Sequence, residues 1–250
     1  MKASGNLEIK AFLSYNSKDK VIAGRVKVCL EQYGVSVFLA HSDLEGGVQW
    51  EREIISQIRT CDVFLPFLTS QFRESQWTDQ EVGVGIASSR VIIPLSVKGL
   101  KPHGFLARYQ AFKFDLEGLN QSCRSVLLAI KNNKKLREKV QNSFIERFVR
   151  SGSFIEANEL SGLLEDFGPY GIKQVNRIFL GYLQNSQIHQ ATTASRIVRD
   201  FLLKHRRLIK VVKEKKNGKL IRVVEERKEG KAETLTQSEL EGVLRDWRTI

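Results

Sequence analysis

The sequence predicts an α/β protein: a parallel, doubly wound sheet of five strands, followed by a smaller, mainly helical domain carrying one β-hairpin. Three observations lead there. Between Glu8 and Phe114, five short apolar runs rich in β-branched and aromatic residues alternate with stretches of helical periodicity, the signature of parallel strands joined by crossover helices. After Ser151-Gly152-Ser153 the character changes and helical stretches follow one another. Finally, LIKVVKE and KLIRVVEE flank Lys216-Asn217-Gly218, and Asn-Gly between β-branched runs is a strong hairpin signal. The 250 residues divide accordingly into a domain at 1–135 and a second at 136–250.

EIKAFLSY (Glu8–Tyr15) reads as a buried strand that stops at Asn16-Ser17, with Ser17 the expected N-cap of a helix over Lys18–Tyr33. Val21, Ile22, Val26, Cys29 and Leu30 supply the apolar stripe of that helix, and Gly34 ends it. VSVFL (Val35–Leu39) is the second strand, and the loop Ala40–Val48 is made permissive by Gly46-Gly47. The helix Gln49–Thr60 turns Ile54, Ile55 and Ile58 inward, and CDVFLPFLT (Cys61–Thr69) is the third strand.

The polar turn and helix of Ser70–Ser88 place Trp77 and Glu81 four residues apart on one helix face. Both are expected to look out from the C-terminal edge of the sheet, where open α/β folds bind ligands. RVIIPLSV (Arg90–Val97) is the fourth strand, and its Pro94 predicts an edge position or a bulge. ARYQAFKF (Ala107–Phe114) is the fifth. Leu119 to about Arg150 is helical with a break at KNNKK, and helices follow at Phe154–Glu165, Gly171–Gln184, Ala191–His205 and, after the hairpin, Ser238–Trp247. Three helices and a basic hairpin are the element order of a winged helix, and equally of other small helical modules.

The net charge is +12, and the segment Lys204–Lys231 alone holds twelve basic and four acidic residues. Such a run either solvates a hairpin or meets an anionic partner, nucleic acid or protein. Cys29, Cys61 and Cys123 are odd in number and far apart, as expected of reduced core thiols in the cytoplasm, and no His or Cys stands at metal-ligand spacing. Gly83 and Gly85 suggest G-x-G-x-x-G, but Ser88 replaces the third glycine and the run lies inside a helix, which excludes a dinucleotide fingerprint. No apolar run reaches the roughly 18 residues a bilayer requires, and no signal-peptide pattern is visible.

Four segments in order, AFLSYNSKD (Ala11–Asp19), SVFLAHSDLEGG (Ser36–Gly47), DVFLPFLTSQF (Asp62–Phe72) and SQWTDQE (Ser75–Glu81), together resemble the TIR (Toll/interleukin-1 receptor) domain family, most closely its bacterial members. The likeness spans about Ile9 to Phe114. It implies a flavodoxin-like fold and, in many members, cleavage of NAD+ at the nicotinamide–ribose bond. By the same resemblance Glu81, after Ser75 and Trp77, matches the essential glutamate, Phe38 an aromatic of the nicotinamide pocket, and Tyr15 the position after the first strand. Asn16, Asp43 and Trp77 complete the expected substrate-binding set, and the loop His41–Val48 matches one that joins neighbouring TIR domains. Many relatives carry an acidic residue soon after the second strand, whereas Ala40-His41-Ser42 precede Asp43 here.

The chemistry suits a single carboxylate. Ordinary glycoside hydrolysis needs two, one of them to protonate the leaving group. Nicotinamide leaves a cationic pyridinium as a neutral molecule, so NAD+ is a substrate for which no general acid, metal or further cofactor is needed. The resemblance thus implies an NAD+ hydrolase or ADP-ribosyl cyclase that is activated by self-association and serves bacterial antiphage defence. Two other readings stand beside it: an adaptor that only binds other TIR domains, and an effector controlled by nucleic acid or a partner protein through Lys204–Lys231.

Overall fold

A computed structural model of the chain describes residues 8–40, 50–213, 221–223 and 234–245. It divides into two compact units, Met1–Ser143 and Phe144–Ile250. In the first, the strands are β1 (Ile9–Ser14), β2 (Val35–Leu39), β3 (Val63–Leu68), β4 (Val91–Ile92), β5 (Leu95–Val97) and β6 (Phe112–Phe114). All pair in parallel in the order β2-β1-β3-β5-β6, and β4 also lies on β3. The crossovers are α1 (Lys20–Glu31), α2 (Trp50–Thr60) and α3 (Gln76–Ala87), and α4 (Leu119–Asn132) follows β6. The strand order reverses between β1 and β3, which makes their C-terminal ends the switch point of the sheet.

The strands were readable as continuous apolar runs because a parallel sheet is covered on both faces, and every residue of β3 is buried. Pro94 departs from its expectation. It neither marks an edge nor makes a bulge: it splits one predicted strand into β4 and β5, and β5 lies inside the sheet. The register is unbroken across the split, with Phe64 opposite Ile92 and Phe67 opposite Leu95, so Pro66 faces Pro94. Neither proline has an N–H to donate, and the ladder is interrupted where they meet.

Two further predictions shift locally. Asn16, not Ser17, accepts the capping bond, its side chain receiving Lys18 N–H at 3.0 Å, and Ser17–Asp19 form a 3-10 turn before α1 begins. The fifth strand shrinks to Phe112–Phe114, because Gly104–Arg108 coil into another 3-10 turn. The apolar cluster behind α3 contains Phe12, Ile58, Phe64, Phe72, Val82 and Leu106. The rings of Phe12 and Phe64 stack at 5.6 Å. Gly85 allows α3 this close, since a Cβ there would stand 3.1 Å from the Phe64 ring. All three cysteines are free and buried.

α5 (Arg137–Val149) contains the division between the units. The second unit continues with α6 (Phe154–Ser161), α7 (Leu164–Phe167), α8 (Ile172–Gln184), α9 (Ser186–His189), α10 (Thr192–Lys204), the antiparallel pair β7 (Val211–Lys213) and β8 (Ile221–Val223), and α11 (Gln237–Arg245). The Asn-Gly turn itself lies outside the described residues, but the strands it was expected to join pair as a hairpin would. Phe144 and Phe167 stack at 4.1 Å in this core, and Arg177 clamps Glu146 with two bonds of 2.6 and 3.0 Å. Two predicted features are subdivided: the Phe154–Glu165 helix breaks into α6 and α7, and the stretch between the predicted helices Gly171–Gln184 and Ala191–His205 contains α9. Among the described residues no helix is long and apolar enough to cross a membrane, and no cluster of His, Cys, Asp and Glu is arranged to hold a metal.

Candidate active site

The C-terminal ends of β1 and β3 and the start of α3 converge at the switch point. Ser75 caps α3 by accepting Thr78 N–H at 3.4 Å, and Thr78 Oγ1 donates back to the Phe72 carbonyl at 2.8 Å. This fixes the first turn of α3 against the end of β3 and points its next turn at β1. There the Ser14 hydroxyl donates to Glu81 Oε2 at 2.5 Å. Glu81 is 2% exposed, so it is not the solvated helix glutamate that most glutamates are. Its second oxygen, Oε1, is buried without a hydrogen-bond partner among the described residues.

Burial pushes the Glu81 carboxyl up to about 7, against the smaller opposing effect of the Ser14 bond, which favours the ionised form. A carboxylate at this place is expensive to hold ionised, and an unsatisfied buried acceptor adds to the cost. Such departures cluster where a protein performs chemistry.

Trp77 and Glu81 do not look out together. Glu81 faces inward to Ser14, whereas Trp77 is 40% exposed and meets the edge of Trp50 of α2 at 4.3 Å. The difference follows from their distance along α3: Trp77 sits at the open first turn, Glu81 one turn deeper against β1. Phe38 is half-buried, pairs in register with Phe12 and stacks on it at 5.5 Å. Tyr15 is fully buried directly after Ser14. Asn16 is buried and both ends of its amide are engaged, Nδ2 donating to the Gln71 carbonyl at 2.7 Å and Oδ1 accepting from Lys18. The structure therefore brings Glu81 to the end of β1, beside Tyr15 and Asn16, with Phe38 on the neighbouring strand. Asp43 and the loop His41–Val48 lie outside the described residues.

Sequence reasoning passed over Ser14. The available signal was a hydroxyl inside the otherwise apolar end of the first strand run. Nor does the sequence alone reveal what His103–Phe112 packs on. The segment covers α3: Leu106 is buried in the apolar cluster, the His103 ring meets Phe72 edge-on, and His103 Nε2 lies 3.5 Å from Asp79 Oδ1.

A doubly wound parallel sheet with a buried carboxylate at its switch point defines a class of α/β proteins whose ligands meet the strand ends. Within that class the match is specific: residues 11–126 fit the family model of the TIR domain, and this part of the chain is a TIR domain. A search among curated proteins found no match.

Proposed function

We propose that the TIR domain cleaves the nicotinamide–ribose bond of NAD+, with Glu81 as the catalytic carboxylate. The observation that supports this most is a glutamate buried at the switch point, with one oxygen held by Ser14 and the other without a described partner. As the C1′–N bond breaks, its electron pair stays on nicotinamide and positive charge develops on the ribose. An ionised Glu81 stabilises that charge in a site from which water is largely excluded. Water then adds to C1′ and releases a proton, giving ADP-ribose; capture by a nucleophile of the same molecule gives a cyclic product. The captive environment of Glu81 argues against a domain that serves only as an adaptor, which has no use for a carboxylate so costly to bury.

A ribose reaches a residue 2% exposed only when the walls around it part. A closed resting state suits an enzyme switched on by TIR self-association, and it protects the cellular NAD+ pool until then. In this reading the protein is a cytoplasmic effector, with depletion of NAD+ or a cyclic signal answering a phage.

The test is nicotinamide release from NAD+ by the concentrated protein and its Glu81→Gln variant. Wild type is expected to turn over, and the variant to lose roughly a hundredfold or more, the scale of a lost charge-stabilising group. Equal release by the two removes Glu81 from the mechanism.

A further inference from the structure

The second unit places α8, α9 and α10 in an arrangement the sequence only hinted at. Asn185 alone separates α8 from α9, ending one helix and capping the next: its Oδ1 accepts Gln187 N–H at 2.9 Å, while Nδ2 donates to the Val149 and Ser151 carbonyls at 3.0 Å each. Only Gln190-Ala191 separate α9 from α10, a connection shorter than the usual three to four residues of a helix-turn-helix. α9 packs on α6, α8 and α10, and its Ile188 is buried. The middle helix of the trio is thus the short α9, between the two predicted helices, and α10 is the third helix.

α10 is sharply two-sided. Ala194, Val198, Phe201 and Leu202 are buried at helical spacing, and the Ala194 N–H is pinned by Asn158 Oδ1 at 2.8 Å. The opposite face carries Thr192, Thr193, Arg196 and Asp200 exposed, with Arg199 half-buried beside them. Thr192, Ser195, Arg196, Arg199 and Asp200 line a shallow cleft of about 420 Å³ along this face. Four other cations of the unit are engaged by carboxylates: Arg177 and Arg150 by Glu146, Arg147 by Glu156, Lys204 by Glu165. Among the described residues Arg196 and Arg199 have no ion pair. Arg206 and Arg207 follow at the end of α10, and then the β7–β8 pair, within a segment of net charge +8 from Lys204 to Lys231.

We propose that α8, α9, α10 and the β7–β8 pair form a winged helix-turn-helix that binds duplex DNA, with the outer face of α10 entering the major groove. The residues suit the two tasks. Arg196, Arg199, Arg206 and Arg207 supply phosphate contacts or bidentate reading of guanine, and hydroxyls at the helix start sit where a recognition helix meets base edges. Asp200 repels phosphate, yet a carboxylate on this face accepts from the cytosine amino group. Stacking on single strands is disfavoured, because the outer face of α10 carries no aromatic residue.

The experiment measures binding of the full chain to a short labelled DNA duplex of mixed sequence at rising KCl concentration. Affinity is expected to fall linearly on a log-log plot, and Arg196→Ala/Arg199→Ala to weaken binding about tenfold or more while reducing the slope by roughly 1.8. Thr193→Glu, which adds a negative charge to the same face, should weaken binding as well. Lys20→Ala/Arg25→Ala, on α1 of the first unit, should leave it unchanged. Thermal melts of all variants should coincide with wild type, since the altered groups are on the surface. Failure of wild type to bind duplex at low salt overturns the proposal. So does an equal loss in the α1 variant, or tighter binding of the matching single strand, duplex RNA or an acidic peptide.

Discussion

If Glu81 is the catalytic carboxylate proposed above, activity and stability have opposite dependences on pH. Its carboxyl titrates near 7 when folded, against an ordinary 4.5. The native state therefore holds a proton between these values that the unfolded chain has released, so stability falls as pH rises from 4.5 through 7. The cost above pH 7 is on the order of 3 kcal/mol. Glu81→Gln keeps an acceptor for Ser14 and carries no charge. It is expected to melt well above wild type at pH 8 and to approach it at pH 5, a comparison that differential scanning calorimetry makes directly. In the proposed reaction activity runs the other way: with the ionised carboxylate as the working form, nicotinamide release should rise with pH through about 7. In the same proposal Ser14 is the positioning residue, since its hydroxyl donates to Glu81. Removing its hydroxyl in Ser14→Ala takes away the bond that favours ionisation, so the acidic limb of the pH profile should move to higher pH. An unmoved limb with a lower plateau would leave Ser14 a packing role only.

At the scale of elements, the strand-turn-helix of β3 and α3 sets the depth of the site. α3 can approach the sheet because Gly85 offers no Cβ to Phe64. Gly85→Ala should cost about 1–3 kcal/mol through overpacking, against the small gain in helix propensity, and chemical denaturation reads the difference. This glycine was visible in the sequence but only as a failed nucleotide motif; its reason is a ring on a neighbouring strand, which spacing within α3 cannot reveal. The strands were legible because burial on both faces makes them uniformly apolar, and Glu81 was legible through its match to a family pattern. Ser14 was not, since its meaning lies in a bond spanning 67 positions of the chain. The capping residue moved from Ser17 to Asn16, which caps the 3-10 turn leading into α1, because both are good caps and the choice rests on Gln71, a distant residue that engages the Asn16 amide. α9 escaped notice because a four-residue helix has too few turns to show a period.

For the whole molecule, closure of the site and self-association lead to a kinetic expectation. If paired TIR domains hold the parted state, the specific activity of the pure protein should rise with its own concentration, where an enzyme complete as a monomer gives a constant value. Activity assays over a dilution series, alongside light scattering, decide between them. The facing prolines add a mechanical consequence. Ser14 of β1, Pro66 of β3 and Pro94, in the gap between β4 and β5, form one row across the sheet, and this row passes beside the bond that holds Glu81. A parallel sheet resists shear through its regular cross-strand donors, and here two of three neighbours have none. The row is a seam: amides beyond it, such as Leu68 and Val97, should exchange with solvent deuterium sooner than those of Val63 and Phe64 before it. The rim of strands that borders the carboxylate would then yield along a line where few hydrogen bonds need to break.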